Sequence, residues 1–218
     1  NSPHNPTGKV FEPAELEAVG ELCRRHGALV VTDEVYEHIT FDGARHVPMA
    51  SLPGMLERTV TLSSAGKTYS LTGWKIGWAV GPARLIAGVQ AAHQFLTFCA
   101  PAPLQAAMAH ALRTQADAYL SRLKEDYARR REVLMTALGR AGFELAVPRG
   151  TYFVLASFAG LFHGTDREVA ERLIEIAGVA SIPPSGFYQE APEEGKHLLR
   201  FSFCKKMETL ELAALRLA

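Results

Sequence analysis

The run Ala28-Leu29-Val30-Val31-Thr32, bounded by Gly27 and Asp33, constrains the fold more than any other stretch of this chain. An uncharged, β-branched run of this length suits a strand buried on both faces of a parallel sheet. It follows a helical stripe in which Leu16, Val19, Leu22 and Cys23 recur on one face, with Pro13 at the first turn and Gly27 just past the end. Further runs with strand character come at 58–62 and 76–80. Helix followed by buried strand, repeated, indicates an α/β sheet, and ligands sit at the carboxyl ends of its parallel strands. Asp33 and Tyr36 fall at or just beyond the first such end.

Downstream, the pattern is helical from Arg84 to Leu112, with breaks expected at Pro101 and Pro103. Residues 116–141 read as one long amphipathic helix, with Leu120, Leu123, Tyr127, Leu134 and Leu138 on one side and Gly142 as its stop. Strands are expected at 143–147 and 152–157 around the turn Pro148-Arg149-Gly150, a helix at 166–177 and a strand at 179–182. A Pro/Gly loop, a strand at 198–203 and a last helix from Glu208 complete the chain. The fold class is therefore α/β: the later part of a mostly parallel-sheet large domain over 1–114, then a smaller α+β domain over 115–218, with the long helix able to join them.

Composition narrows the function. With 218 residues, 48% of them hydrophobic and 21% charged, the chain can bury a sizeable core. Lysine plus arginine equals aspartate plus glutamate at 23 each, so no basic field draws in nucleic acid or an anionic membrane. The triplet Arg129-Arg130-Arg131 is offset by Glu125, Asp126 and Glu132 and reads as a solvated helix face. Cys23, Cys99 and Cys204 are odd in number and form no CxxC pair, which argues against a disulfide framework or a zinc site and for a reducing cytoplasm. No stretch reaches membrane-span length, and the start lacks a signal-peptide layout. The chain opens on Asn1 inside the Pro/Gly-rich segment Ser2-Pro3-His4-Asn5-Pro6-Thr7-Gly8, which reads as the middle of a loop, so a fragment of a longer protein is expected.

Chemistry concentrates between Ser63 and Trp78, where Lys67 stands among small residues and Lys75 follows eight positions later. Ser64-Ala65-Gly66-Lys67 matches the Ser-x-x-Lys of penicillin-recognising hydrolases, but their Ser-Asp-Asn and Lys-Thr-Gly elements are missing. Gly66-Lys67-Thr68 ends like a P-loop, yet Thr61 occupies the position where that motif needs its first glycine. Taken with Asn5-Pro6-Thr7-Gly8, Asp33-Glu34-Val35-Tyr36 and Arg200-Phe201, the segment resembles the class I/II pyridoxal-phosphate aminotransferases of fold type I. Within them it is most similar to the kynurenine, glutamine and methionine aminotransferase group.

That resemblance implies a large domain that binds pyridoxal 5'-phosphate and a role for each quoted residue. Lys67 would be the catalytic lysine, holding the cofactor covalently and moving the substrate proton, with a lysine amine tuned by burial or a neighbouring cation. Asp33 would keep the pyridine nitrogen protonated by a charge-assisted hydrogen bond from a buried carboxylate. Asn5 and Tyr36 would bond the ring oxygen, Ser64 and Lys75 the phosphate, and Arg200 the substrate carboxylate. Lys75 stands where many relatives carry arginine, and so offers a point charge in place of a bidentate fork. Alternation in Leu199-Arg200-Phe201-Ser202-Phe203 sets Arg200 on the strand face opposite the phenylalanines. Each residue alone has a blander reading: a surface lysine, an aspartate capping the next element, a turn asparagine before Pro6, an exposed strand arginine. Phe98 is either a pocket wall contributed across a dimer interface or a core residue, and Cys99 replaces a polar aromatic residue of some relatives.

The implied activity moves an amino group between an L-amino acid with a neutral, sulfur-containing or aromatic side chain and a 2-oxo acid. Those two substrates and a second copy of the chain are the expected partners, with no nucleic acid, membrane or metal. The rival readings are an aminotransferase-like regulatory domain that binds the cofactor without turnover, and a cysteine-conjugate β-lyase. The family's glycine-rich phosphate turn and the aromatic ring that stacks on the cofactor would lie ahead of Asn1, so the chain alone is expected to bind cofactor poorly and to be inactive.

Overall fold

The computed structural model describes residues 1–114 and 116–218. The chain divides into two compact units, one made of Asn1–Pro3 with Val10–Leu123, the other of His4–Lys9 with Lys124–Ala218. The boundary expected at 114/115 adjoins Gln115, which lies outside the described residues.

The first unit begins with α1 (Pro13–His26), which starts at Pro13, where a missing N–H costs nothing. The Glu12 N–H donates to Glu15 Oε2 at 2.8 Å, and Gly27 ends the helix at φ 63°, a left-handed conformation that glycine adopts without strain. Then come β1 (Val30–Asp33), β2 (Thr59–Ser64), the single helical turn α2 (Ala65–Thr68) and β3 (Gly77–Val80). The sheet order is β1-β2-β3, with β1 parallel to β2 and β2 antiparallel to β3. The α/β expectation therefore holds, with one parallel and one antiparallel pairing among the described strands of this sheet.

The β1 strand departs from expectation in one respect. It is not buried on both faces: Val31 is 69% exposed and Asp33 shares its open face. Among the described strands β1 has a single ladder neighbour, β2.

Leu16, Met49 and Met55 form one core cluster of this unit, and Ala65, Ile76 and Met108 another. The helical stretch after β3 separates into α3 (Ala83–Leu96) and α4 (Ala102–Thr114). The break falls at 97–101 and ends on Pro101, whereas Pro103 is tolerated in the first turn of α4. No residue of α3 is buried.

Helix α5 (Ala116–Arg140) runs unbroken through the division between the units at Leu123 and Lys124. The second unit continues with β4 (Glu144–Ala146), β5 (Phe153–Ser157), α6 (Asp166–Ala177), the short turn α7 (Pro192–Gly195), β6 (Leu198–Ser202) and α8 (Met207–Leu217). Its sheet is wholly antiparallel, in the order β4-β5-β6. Phe158, Leu199 and Phe203 are fully buried, and Phe143 meets Phe201 edge-on with centroids 5.7 Å apart. Thr165 caps α6 reciprocally: its hydroxyl accepts from Glu168 N while Glu168 Oε2 accepts from Thr165 N. The strand expected at 179–182 is reduced to a bridge between Ile182 and Arg200. Pro183 and Pro184 follow at once, and neither has an N–H to extend a ladder.

Candidate functional site

Parallel pairing brings the carboxyl ends of β1 and β2 side by side, with Asp33 in register with Leu62 and the Glu34 N–H donating to Leu62 O at 2.8 Å. Ser64 ends β2 and caps the turn after it, its hydroxyl accepting from Gly66 N at 3.3 Å. Lys67 sits on that turn, half-buried. The Ala65 N–H donates to Ile76 O at 3.0 Å, which draws the residue after Lys75 against the start of the same turn. Lys75 is itself exposed and left-handed, at φ 55°. Gly77 is required here, since a Cβ would come within 2.9 Å of Ser63 O and 3.2 Å of Ser64 Cβ.

Asp33, Ser64, Lys67 and Lys75 thus gather at one end of the sheet. Asp33 is exposed in this chain, and its Oδ1 accepts from Val35 N at 3.1 Å, the capping role that its position also allowed. Tyr36 is buried at 4% exposure in the turn after β1.

Asn5 and Arg200 belong to the second unit. The alternation along β6 holds: Leu199 and Phe201 are buried while Arg200 projects from the other face. Arg200 donates to Asn5 Oδ1 at 2.8 Å, and its guanidinium carbon lies 4.2 Å from the Phe153 ring centroid and 5.6 Å from that of Phe187. Rings at this range orient the cation by cation–π attraction and leave the rest of its fork to other acceptors. A cavity of about 510 Å³ in this unit, lined by Thr136, Arg140 and Leu215, includes none of these residues.

Residues outside the sequence reading also matter. Glu34, only 2% exposed, lies between Asp33 and Tyr36 in the quoted motif. Its Oε1 accepts from Thr32 Oγ1 at 2.9 Å and Met49 N at 3.3 Å, and its Oε2 meets His46 Nε2 at 2.7 Å. Burial pushes the Glu34 carboxyl upward, but the hydrogen bond and charge of His46, with the Thr32 and Met49 bonds, outweigh it and hold the group below the usual carboxylate range. Glu37 brings a third ligand-type side chain near Glu34 and His46, within 4.8 Å, but its Oε1 accepts from Ser63 Oγ at 2.9 Å. Protein donors satisfy these carboxylates, as buried acids require. The signal for Glu34 was a charged residue directly after a strand end. Thr72 and Tyr119, which brace the Lys67 turn, had none.

The donor set fits a ligand that combines an aldehyde, a basic ring nitrogen and a phosphate: an amine at Lys67, a carboxylate at Asp33, and a hydroxyl and second cation at Ser64 and Lys75. The model of the family described as aminotransferase class I and II matches residues 1–217. The chain belongs to this family. Its members use pyridoxal phosphate. The chain is 46% identical over 225 residues to the probable N-succinyldiaminopimelate aminotransferase of Mycobacterium tuberculosis, covering 100% of this chain and 56% of that one. It is 40% identical to the methionine aminotransferase of Escherichia coli, covering 100% of this chain and 55% of that one. The solved N-succinyldiaminopimelate aminotransferase of M. tuberculosis superposes with a TM-score of 0.95 at 48% identity, over 100% of this chain and 57% of that one. The chain therefore spans little more than half the length of these relatives. Among the described residues no helix is long and apolar enough to cross a membrane.

Proposed function

We propose that the intact protein is a pyridoxal-phosphate-dependent aminotransferase that moves an amino group between an L-amino acid and a 2-oxo acid. The observation that carries this reading is Lys67 on a single helical turn directly after β2, beside the strand end that bears Asp33. When bound, the cofactor supplies an electron sink for the charge left on the substrate α-carbon. Lys67 Nζ would hold the cofactor aldehyde, and its free amine would take and return the substrate α-proton as general base and acid. Asp33 would accept the hydrogen bond of a protonated ring nitrogen and keep the proton there. Tyr36 would bond the ring oxygen, the role that the resemblance also gives Asn5. Ser64 would donate its hydroxyl, and Lys75 its ammonium, to phosphate oxygens. Arg200 binds the substrate α-carboxylate as a two-pronged donor.

Relatives named for methionine and kynurenine support a neutral, sulfur-containing or aromatic amino donor. The more similar M. tuberculosis relative supports N-succinyldiaminopimelate as the alternative, and side-by-side kcat/KM values for the two classes separate them. A homodimer is supported by Phe95, Leu96 and Phe98 at the end of α3, which are 85%, 84% and 77% exposed. Free thiols at Cys23, Cys99 and Cys204 support a reducing cytoplasm.

The deciding experiment is Lys67→Ala in the intact protein, assayed for transamination and for the visible absorbance of bound cofactor. Both are expected to disappear, and transamination at the wild-type rate would remove Lys67 from the reaction. An intact wild-type protein that binds cofactor without turning over any amino acid would favour the regulatory reading instead.

A further inference from the structure

A helix of a single turn cannot hold its own shape, because nucleation fixes several dihedral angles for one internal hydrogen bond and leaves its last carbonyls without helical partners. The α2 turn is of this kind, and Lys67 sits within it. Its carbonyls are bound from outside. Thr72 Oγ1 donates to Gly66 O at 2.8 Å, and the Ser70 N–H donates to Lys67 O at 3.3 Å. Both restraints come from within a few residues of the turn. The third comes from 51 residues away: the Tyr119 hydroxyl donates to Thr68 O, the carbonyl next after Lys67, at 2.8 Å. The Tyr119 ring lies flat on Tyr69, with centroids 5.0 Å apart and planes 6° from parallel. Burial pushes both phenols upward; for Tyr119 the neighbouring Tyr69 adds to the effect and a hydrogen bond with Ser70 only partly offsets it, so its hydroxyl keeps its proton at neutral pH and stays a donor. Tyr119 stands in the first turn of α5, a helix of 25 residues.

We infer that Tyr119 is a positioning residue for Lys67: its hydroxyl and ring lock the α2 turn onto helix α5 and so fix the direction in which the lysine amine is presented. The inference rests on the reading of Lys67 as the attachment lysine and adds to it a long-range brace. Ser64 and Thr72 hold the near side of the turn, and Tyr119 holds its carboxyl end. Without the hydroxyl, Thr68 O loses its partner, the last residues of the turn fray, and the amine spends less time where it can bond an aldehyde.

The test uses Tyr119→Phe in the intact protein, which keeps the ring and removes the hydroxyl. In the cofactor-free protein, hydrogen exchange at the Tyr69 and Ser70 amides is expected to quicken about 3- to 10-fold, the factor set by losing one neutral hydrogen bond. On addition of pyridoxal phosphate, the visible absorbance band is expected to grow in more slowly by a similar factor. Wild-type exchange together with a wild-type rate of band growth overturns the inference. So does a lowered melting temperature with no excess exchange at α2, since that marks Tyr119 as packing alone. Lys67→Ala is run beside it: a band that still forms in that variant refutes the attachment role itself, whereas its absence alongside an unaltered Tyr119→Phe refutes only the brace.

Discussion

Arg200 and Asn5, 195 residues apart in sequence, are joined by a 2.8 Å hydrogen bond from the guanidinium to the amide oxygen. The bond fixes one edge of the guanidinium, while Phe153 lies 4.2 Å from its carbon and restricts its tilt. A planar donor held in this way meets a carboxylate with little further loss of side-chain entropy. Arg200→Lys removes the fork and is expected to lower kcat/KM for the amino donor about 10- to 100-fold, the range for a hydrogen bond to a charged group. Asn5→Ala leaves the charge and loosens its aim, so its main effect is expected on KM. Steady-state kinetics across donor concentrations separate the two, and an Arg200→Lys enzyme with wild-type kcat/KM would remove Arg200 from substrate binding.

Lys75 supplies the second cation of the Lys67 segment from a left-handed backbone at φ 55°. Such a conformation strains any residue but glycine or asparagine, and it tends to persist where the surroundings or function require the side chain. Lys75→Arg preserves the charge and is expected to leave pyridoxal-phosphate affinity within about threefold of wild type. Lys75→Met removes a charge-assisted contact and is expected to weaken it about 10- to 100-fold. Titration of the cofactor-free intact protein, followed by visible absorbance, measures both. Equal affinities for Lys75→Met and the wild type would take the phosphate role away from this residue.

The buried Glu34 carboxylate makes stability depend on acid. Its pKa in the folded chain lies below the ordinary value of 4.5, so its contribution is complete above that value and is lost as pH falls through the lower folded value. Glu34→Gln is therefore expected to flatten the acid limb of the stability curve while lowering stability near neutrality. At pH 7, His46→Ala is expected to cost about 2 kcal/mol, because a buried carboxylate loses one of its donors. Denaturant melts at a series of pH values read both effects. Parallel acid limbs for the wild type and Glu34→Gln would show that this pair does not control acid stability.

The elements whose cause is local were legible in the sequence. Gly27 past α1, the helix from Asp166 and the alternation around Arg200 each reflect a short-range rule, and each element lies where that rule puts it. The site was legible in part because its residues cluster in short motifs at strand ends. What failed depended on neighbours outside the motif. The strand expected at 179–182 turned on whether a ladder can continue past Pro183. The Glu34–His46 pair and the Tyr119 brace join residues 12 and 51 positions apart, and no periodicity within either segment encodes such a contact.

Gly8 shows how the opening loop is held in the second unit. Its carbonyl accepts from both Arg149 N and Gly150 N at 2.9 Å, and its own N–H donates to His4 O at 2.8 Å, which closes the turn that contains Asn5. The backbone there has φ +70°, and a Cβ would lie 2.3 Å from Pro148 Cβ and 2.8 Å from Pro148 Cα. Neither atom is the free end of a flexible side chain, so the loop or the β4–β5 turn must move to admit one. Gly8→Ala is expected to destabilise the protein by about 2–4 kcal/mol, from overpacking together with left-handed strain. The same movement shifts Asn5 relative to Arg200, so the surviving folded enzyme is expected to show the raised KM of Asn5→Ala. Denaturation midpoints and donor kinetics on one preparation check both halves. Wild-type stability would mean that the turn accommodates a methyl group without moving, and an unchanged KM would separate the seating of this loop from the aim of Arg200.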